Sequence, residues 1–310
     1  MGTKKKSNRI WEIDFLRGVL IIGMLIDHFM FFLGNLVPNL FGGIPTLPLW
    51  LQNVSSFAQA YWVNPFKVAV RYVGVALFFF LVGVSSRFSK SNLKRGILCT
   101  AFGVAMSIAL IIVSKVGHIQ YYALFPIITC LGVSMLSYWL FKAVFELANG
   151  KKNHWKWWSL VFGIGFLAFG FIMNLINSTQ PLEPGKIFLA MMGDYRPGAT
   201  NSDVELLSSD YPAVIFGLKA WGNDTLGLLP YVGFTFIGGF IGEHFYSVKK
   251  SLFFRSNEEK NIAFNTKALK TTKGINWLGG KTIWVYILHP IILVPILFIV
   301  FWIACGRWPF

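Results

Sequence analysis

The sequence predicts an all-α, polytopic integral membrane helical bundle of about seven spans, with one or two partial or re-entrant segments. Three observations carry this expectation. Of the 310 residues, 55% are hydrophobic and 13% charged, with a mean hydropathy of +0.58, a balance that polar surface cannot cover in water. The apolar runs are about twenty residues long rather than short and alternating, so they read as helices and not as barrel strands. Lys and Arg gather in the short connections between the runs, where they set orientation.

The first run, Phe15–Leu36, follows Lys4, Lys5, Lys6 and Arg9. It is too long for a signal-peptide core, contains Asp27 and His28, and lacks a small-residue cleavage site, so it is expected to stay as a span. Later runs fall at Lys67–Ser86, Gly96–Ser114, Tyr121–Phe145, Trp157–Ile176, Thr225–Tyr246 and Thr282–Ala304. With a cytoplasmic N-terminus in the cell membrane, the clusters Arg87–Arg95, Lys151–Lys156 and Lys249–Lys273 all fall inside. The stretch from Val37 to Phe66 then lies outside without charge, and Asn177–Asp224 lies outside with acidic residues outnumbering Lys186, Arg196 and Lys219. Val37–Phe66 is broken by Pro38, Pro45, Pro48 and Pro65, so it is expected to lie in the interface or re-enter the membrane. The run around Tyr211–Trp221 is too short to cross. Residues 1–310 read as one transmembrane domain, with basic cytoplasmic segments at 1–14 and 247–280.

The formal charge of +15 would suggest nucleic acid in a soluble chain. Here its placement beside apolar runs assigns it to topology, and no nucleic-acid partner is expected. Cys99, Cys130 and Cys305 lie in apolar stretches without metal-ligand spacing, so neither a disulfide framework nor a metal site is indicated. No internal repeat suggests a transporter built from two halves.

Ionisable side chains inside a span are costly in lipid and therefore point to function. The first span has Asp14, Arg17, Asp27 and His28. Arg17 and His28 are eleven residues apart, so they share one helix face at a separation of about 16 Å. Asp14, one turn before Arg17, can hold the guanidinium. Asp27 points about 100° away from His28 and lines an adjacent interface. His289 sits eight residues after Lys281, about 12 Å into the last span; Pro290 removes one helix hydrogen bond and exposes a carbonyl. Lys67 and Arg71, four residues apart, form one basic face, which either snorkels at the outer boundary, binds an anionic acceptor or lines the catalytic cavity.

The segment RIWEIDFLRGVLIIGMLIDHFMF resembles the opening span of transmembrane acyltransferases, in which an Arg, ten residues and a His recur; here these are Arg17 and His28. The likeness is nearest to the bacterial relatives of the heparan-α-glucosaminide N-acetyltransferase catalytic domain. GVALFFFLVGVSSRFSK (Gly74–Lys90), DTLGLLPYVGFTFIGGFIG (Asp224–Gly242) and YILHPIIL (Tyr286–Leu293) resemble further segments of that family. The chain departs from it at PIITCLG, where Thr129 replaces a His, at Thr225 of the Asp-Tyr pair, and at Tyr231, which replaces a Trp.

The resemblance implies an acyl-CoA-dependent transmembrane acyltransferase. It would move an acyl group, acetyl foremost, from cytoplasmic acetyl-CoA to a hydroxyl or amine of a sugar or glycan at the outer face, without a metal. His28, His289 and Asp14 are the candidate catalytic residues, and Arg17, Arg71 and Lys67 the candidate donor-binding ones. The lipid bilayer, acyl-CoA and a glycan acceptor are the expected partners, and a homo-oligomer is compatible with the sequence. Two other readings stay open: a transporter or channel that uses the same intramembrane charges as a proton relay, and a non-catalytic membrane module that partners another enzyme.

Overall fold

A computed structural model describes residues 10–116, 123–149, 154–195, 198–199, 210–222, 225–246, 251–252 and 270–308. Six of its helices are long and apolar enough to cross a membrane: Trp11–Leu40, Pro65–Ser86, Asn92–Ile112, Ile127–Ala148, Trp155–Ile176 and Thr282–Cys305. They coincide with six of the seven apolar runs, and the protein is an all-α polytopic membrane bundle. The chain divides into two compact units, one of Met1–Gly74 with Val248–Phe310 and the other of Val75–Ser247.

The first unit begins with α1 (Trp11–Phe31), which passes into a single π-helical stretch at Phe32–Leu36 and then α2 (Val37–Leu40). Gly42 and Gly43 then turn the chain with φ of 89° and 94°, a left-handed conformation that side chains disfavour. A 3₁₀ turn at Ile44–Thr46 leads to α3 (Leu49–Val63). α3 runs back along α1: Gly34 meets the backbone of Ala58 and Gln59, and Phe31 meets Trp62 at 4.9 Å. Asn64, held extended by the proline that follows it, ends α3, and Pro65 opens α4 (Pro65–Ser86). The uncharged, proline-rich segment is therefore a short helix laid on the first span.

The unit is completed by α11 (Lys273–Gly280) and α12 (Thr282–Cys305). α11 lies on the first half of α1, where Gly18 faces Ile275 and Gly279 faces the backbone of Asp14 so closely that no Cβ fits at either glycine. The apolar core joins Phe32, Val37, Phe41, Leu47 and Leu51 to Leu297 and Phe301 of α12. Arg307 closes the end by donating from Nη2 to the carbonyl of Phe41 at 2.7 Å.

The second unit holds the rest of α4 with α5 (Asn92–Val116), α6 (Ile127–Asn149), α7 (Trp155–Ile176), α8 (Ile187–Met191), α9 (Tyr211–Phe216) and α10 (Tyr231–Phe245). Two two-residue strands, β1 (Gly198–Ala199) and β2 (Ala220–Trp221), pair in parallel. α9 is the short helix that the sequence around Tyr211–Trp221 leaves unable to cross. Gly163 and Gly233 bring α7 and α10 together, while Gly83, Gly238 and Gly242 bring α4 and α10 together.

The remaining apolar run, Thr225–Tyr246, gives a helix of only 15 residues, α10. At 1.5 Å per residue it is about 22 Å long, less than the roughly 30 Å of hydrocarbon. Pro230 starts it late, and most of its residues are buried against protein rather than lipid. Its Glu243, 6% exposed, accepts from Lys142 Nζ at 3.0 Å and forms an ion pair with Arg87, whose Nε lies 3.2 Å away. The basic stretch expected at 249–273 lies largely outside the described residues, as do Lys151, Lys152 and His118.

Candidate functional site

All six site residues expected from the sequence belong to the first unit. Two of them meet: the rings of His28 on α1 and His289 on α12 lie 4.7 Å apart between centroids, at 72°, edge to face. Phe32, the first residue of the π-helical stretch, stacks on His289 at 6.3 Å and lies 6.1 Å from His28, and Tyr286 touches His289 at 5.8 Å. π-helical turns of this kind recur at functional positions.

Each histidine is held by one nitrogen. His28 Nδ1 lies 2.9 Å from the carbonyl of Met24, and His289 Nδ1 lies 2.7 Å from the carbonyl of Tyr286. A carbonyl only accepts, so both Nδ1 atoms have the proton and both Nε2 atoms present a lone pair. The second bond follows from the sequence. Pro290 has no N–H, so the carbonyl four residues before it, that of Tyr286, loses its helical donor. His289 Nδ1–H takes the place. His289 is 7% exposed and its Nε2 has no hydrogen-bond partner among the described residues, whereas His28 is half-buried. A buried acceptor left without a donor is rare in folded proteins.

Asp27, next to His28 in sequence, faces elsewhere as the helical geometry requires. Its Oδ1 lies 2.9 Å from Lys67 Nζ, and Tyr61 donates to the same oxygen at 3.3 Å. Lys67 also sits 3.8 Å from the centroid of the Trp62 ring, and the Arg71 guanidinium 4.5 Å from it, so one indole contacts two cations. The expected basic face of Lys67 and Arg71 is present, but Lys67 is neutralised by Asp27. That pairing crosses forty residues of chain, and only the rule that a charge in a span needs a partner hinted at it. Nearer the start of α1, Arg17 Nη1 stands 3.7 Å from Asp14 Oδ1, as the one-turn spacing leads one to expect. Among the described residues no group of three or more His, Cys, Asp or Glu side chains is placed to hold a metal ion.

No curated relative and no solved structure matches the chain at a significant level. A family model does: residues 48–291 match the one described as "Heparan-alpha-glucosaminide N-acetyltransferase, catalytic". The match takes in His289, Lys67, Arg71 and the resembling segments from Gly74 and Asp224 onward, and it begins after the span that holds Arg17 and His28. Because the match spans most of a chain with six membrane-length helices, it shows that this protein belongs to the heparan-α-glucosaminide N-acetyltransferase catalytic-domain family of membrane acetyltransferases.

Proposed function

We propose that the protein transfers an acetyl group from cytoplasmic acetyl-CoA to a hydroxyl or amine of a sugar or glycan at the outer face, with His28 as the base. The observation that carries this reading is the contact between His28 and His289, each fixed at Nδ1 and each presenting Nε2. His suits the role because a neutral imidazole has one nitrogen that accepts a proton while the other, as an N–H, holds the ring in place.

Acetyl-CoA supplies the acyl carbon and a thiolate leaving group. The acceptor O–H or N–H gives its proton to His28 Nε2 as the acceptor atom bonds to the acetyl carbon and the C–S bond breaks. The proton then passes to the departing sulfur. His28, the more exposed ring, meets the acceptor, and His289 packs edge-on against it and fixes its plane. Arg17, braced by Asp14, stands eleven residues before His28, about 16 Å along α1, where it can bind donor phosphate. Arg71, stacked on Trp62 and without an ion pair among the described residues, is a second cation for the donor or for an anionic acceptor. Lys67 holds α4 to α1 through Asp27.

Purified protein incubated with acetyl-labelled acetyl-CoA and a panel of amino sugars and glycans tests the reading. Label transfer or CoA release that disappears in His28→Ala supports it. Equal activity in that variant, or none in folded wild-type protein that binds the donor and a competent acceptor, would overturn it.

A further inference from the structure

A groove of about 940 Å³ opens on the surface of the first unit between α1 and α12. Its wall is apolar, with Ile26, Phe29, Leu288 and Ile292 exposed along it, and only Lys281 and His289 bring ionisable groups. Because α12 is a 24-residue apolar helix, Lys281 at its start stands at the boundary between membrane and water, with Trp277 and Trp284 exposed beside it. No carboxylate pairs with Lys281 among the described residues.

The dimensions identify an occupant. From Lys281 to Leu293, the last residue of the wall on α12, is twelve residues, about 18 Å along the helix. Half of a bilayer's hydrocarbon is about 15 Å deep. The groove thus has the depth of one leaflet, with its single cation at headgroup level. Among the described residues a sugar placed here would find only the Lys281 ammonium, the His289 ring and the indole N–H groups of Trp277 and Trp284 for all its hydroxyls, and burying the rest without partners is costly. A hydrocarbon chain meets no such cost, and the two carbons of an acetyl group would leave the groove empty.

We propose that this groove is a binding site for one anionic phospholipid, its phosphate on Lys281 and one acyl chain lying along α12 over His289. The chain excludes water from the wall on which the histidine sits. Trp277 and Trp284 flank the headgroup, the position that amphipathic rings favour. The site stands independently of the acetyl-transfer reading, since it rests on the groove and its cation alone.

The test is lipid retention by the full chain. Protein is reconstituted in nanodiscs of phosphatidylcholine with phosphatidylglycerol, released, and weighed with its bound lipid by native mass spectrometry. One phosphatidylglycerol per chain is expected in preference to phosphatidylcholine. Lys281→Glu should lower its retention tenfold or more, Lys281→Arg should keep it, and Ile292→Trp, which fills the groove from an exposed position, should lower it with the charge intact. Equal retention of both lipids, or undiminished phosphatidylglycerol in Lys281→Glu, would overturn the proposal. So would efficient disulfide cross-linking between two chains with Ile292→Cys, which would assign the groove to a second copy.

Discussion

Asp27 and Lys67 form an ion pair at 2.9 Å with both side chains largely withdrawn from the surface, at 14% and 9% exposure. Breaking a buried pair by removing one partner strands the other charge and typically costs about 3–5 kcal/mol. Asp27→Asn and Lys67→Met should each lower the thermal midpoint in detergent by several degrees, and the exchange Asp27→Lys with Lys67→Asp should recover part of the loss. Full additivity of the two single losses in the exchanged variant would show that the residues do not interact.

The dependence of the His289 tautomer on Pro290 makes a sharper test. Pro290→Ala restores a backbone N–H to the Tyr286 carbonyl, which should release His289 Nδ1 and mix its tautomers. The helix should gain stability while turnover falls. The check is ¹⁵N NMR of labelled histidine beside an activity assay. A single Nδ1–H form that persists in the variant would sever the link.

Arg17→Ala should weaken acetyl-CoA binding, measured by calorimetry, without unfolding the protein, and Asp14→Asn should produce the same defect in milder form because the cation stays but loses its brace. His28→Ala should leave donor binding largely intact and reduce turnover by at least the 10²–10⁴-fold that a general base contributes. If His289→Ala abolished transfer while His28→Ala retained more than about a tenth of it, the two roles would be exchanged.

Gly18 and Gly279 test the seam between α1 and α11. At either one a Cβ would strike backbone, of Ile275 or Asp14, which cannot move aside as a side chain can. Gly279→Ala should cost about 1–3 kcal/mol. Gly23, on the same helix as Gly18, has open space around it and is the control: Gly23→Ala should be neutral or slightly stabilising by thermal unfolding.

Much of the fold is legible in the sequence because hydrocarbon imposes one length on every span and forbids unpaired backbone, so runs such as Trp157–Ile176 translate directly into helices. The rule fails at α10, where neighbouring helices replace lipid and a 15-residue helix is long enough. At the site, the Asp14–Arg17 pair and the divergence of Asp27 from His28 follow from helix periodicity alone. The contacts of His28 with His289 and of Asp27 with Lys67 depend on how separate helices pack, and a single sequence does not specify that packing. The sequence shows that Pro290 frees a carbonyl; that His289 takes it emerges only with the rotamer.

The discontinuity of the first unit has a consequence for how the protein is made. Asp27 finds Lys67 only forty residues later, so the ribosome delivers its counter-charge within seconds, at about 5–20 residues per second. His28 and Gly18 wait until residues 275–289 emerge, roughly 250 residues on, which takes on the order of 10–50 s. The order of synthesis suits the chemistry of the waiting groups: the carboxylate, costly in lipid, is neutralised early, while an imidazole that can remain neutral and a glycine with nothing to bury tolerate the delay. A chain truncated before α11 should therefore insert α1 and α3–α4 as a neutralised hairpin, yet expose Gly18 and His28 to whatever lipid or quality-control factor reaches them first.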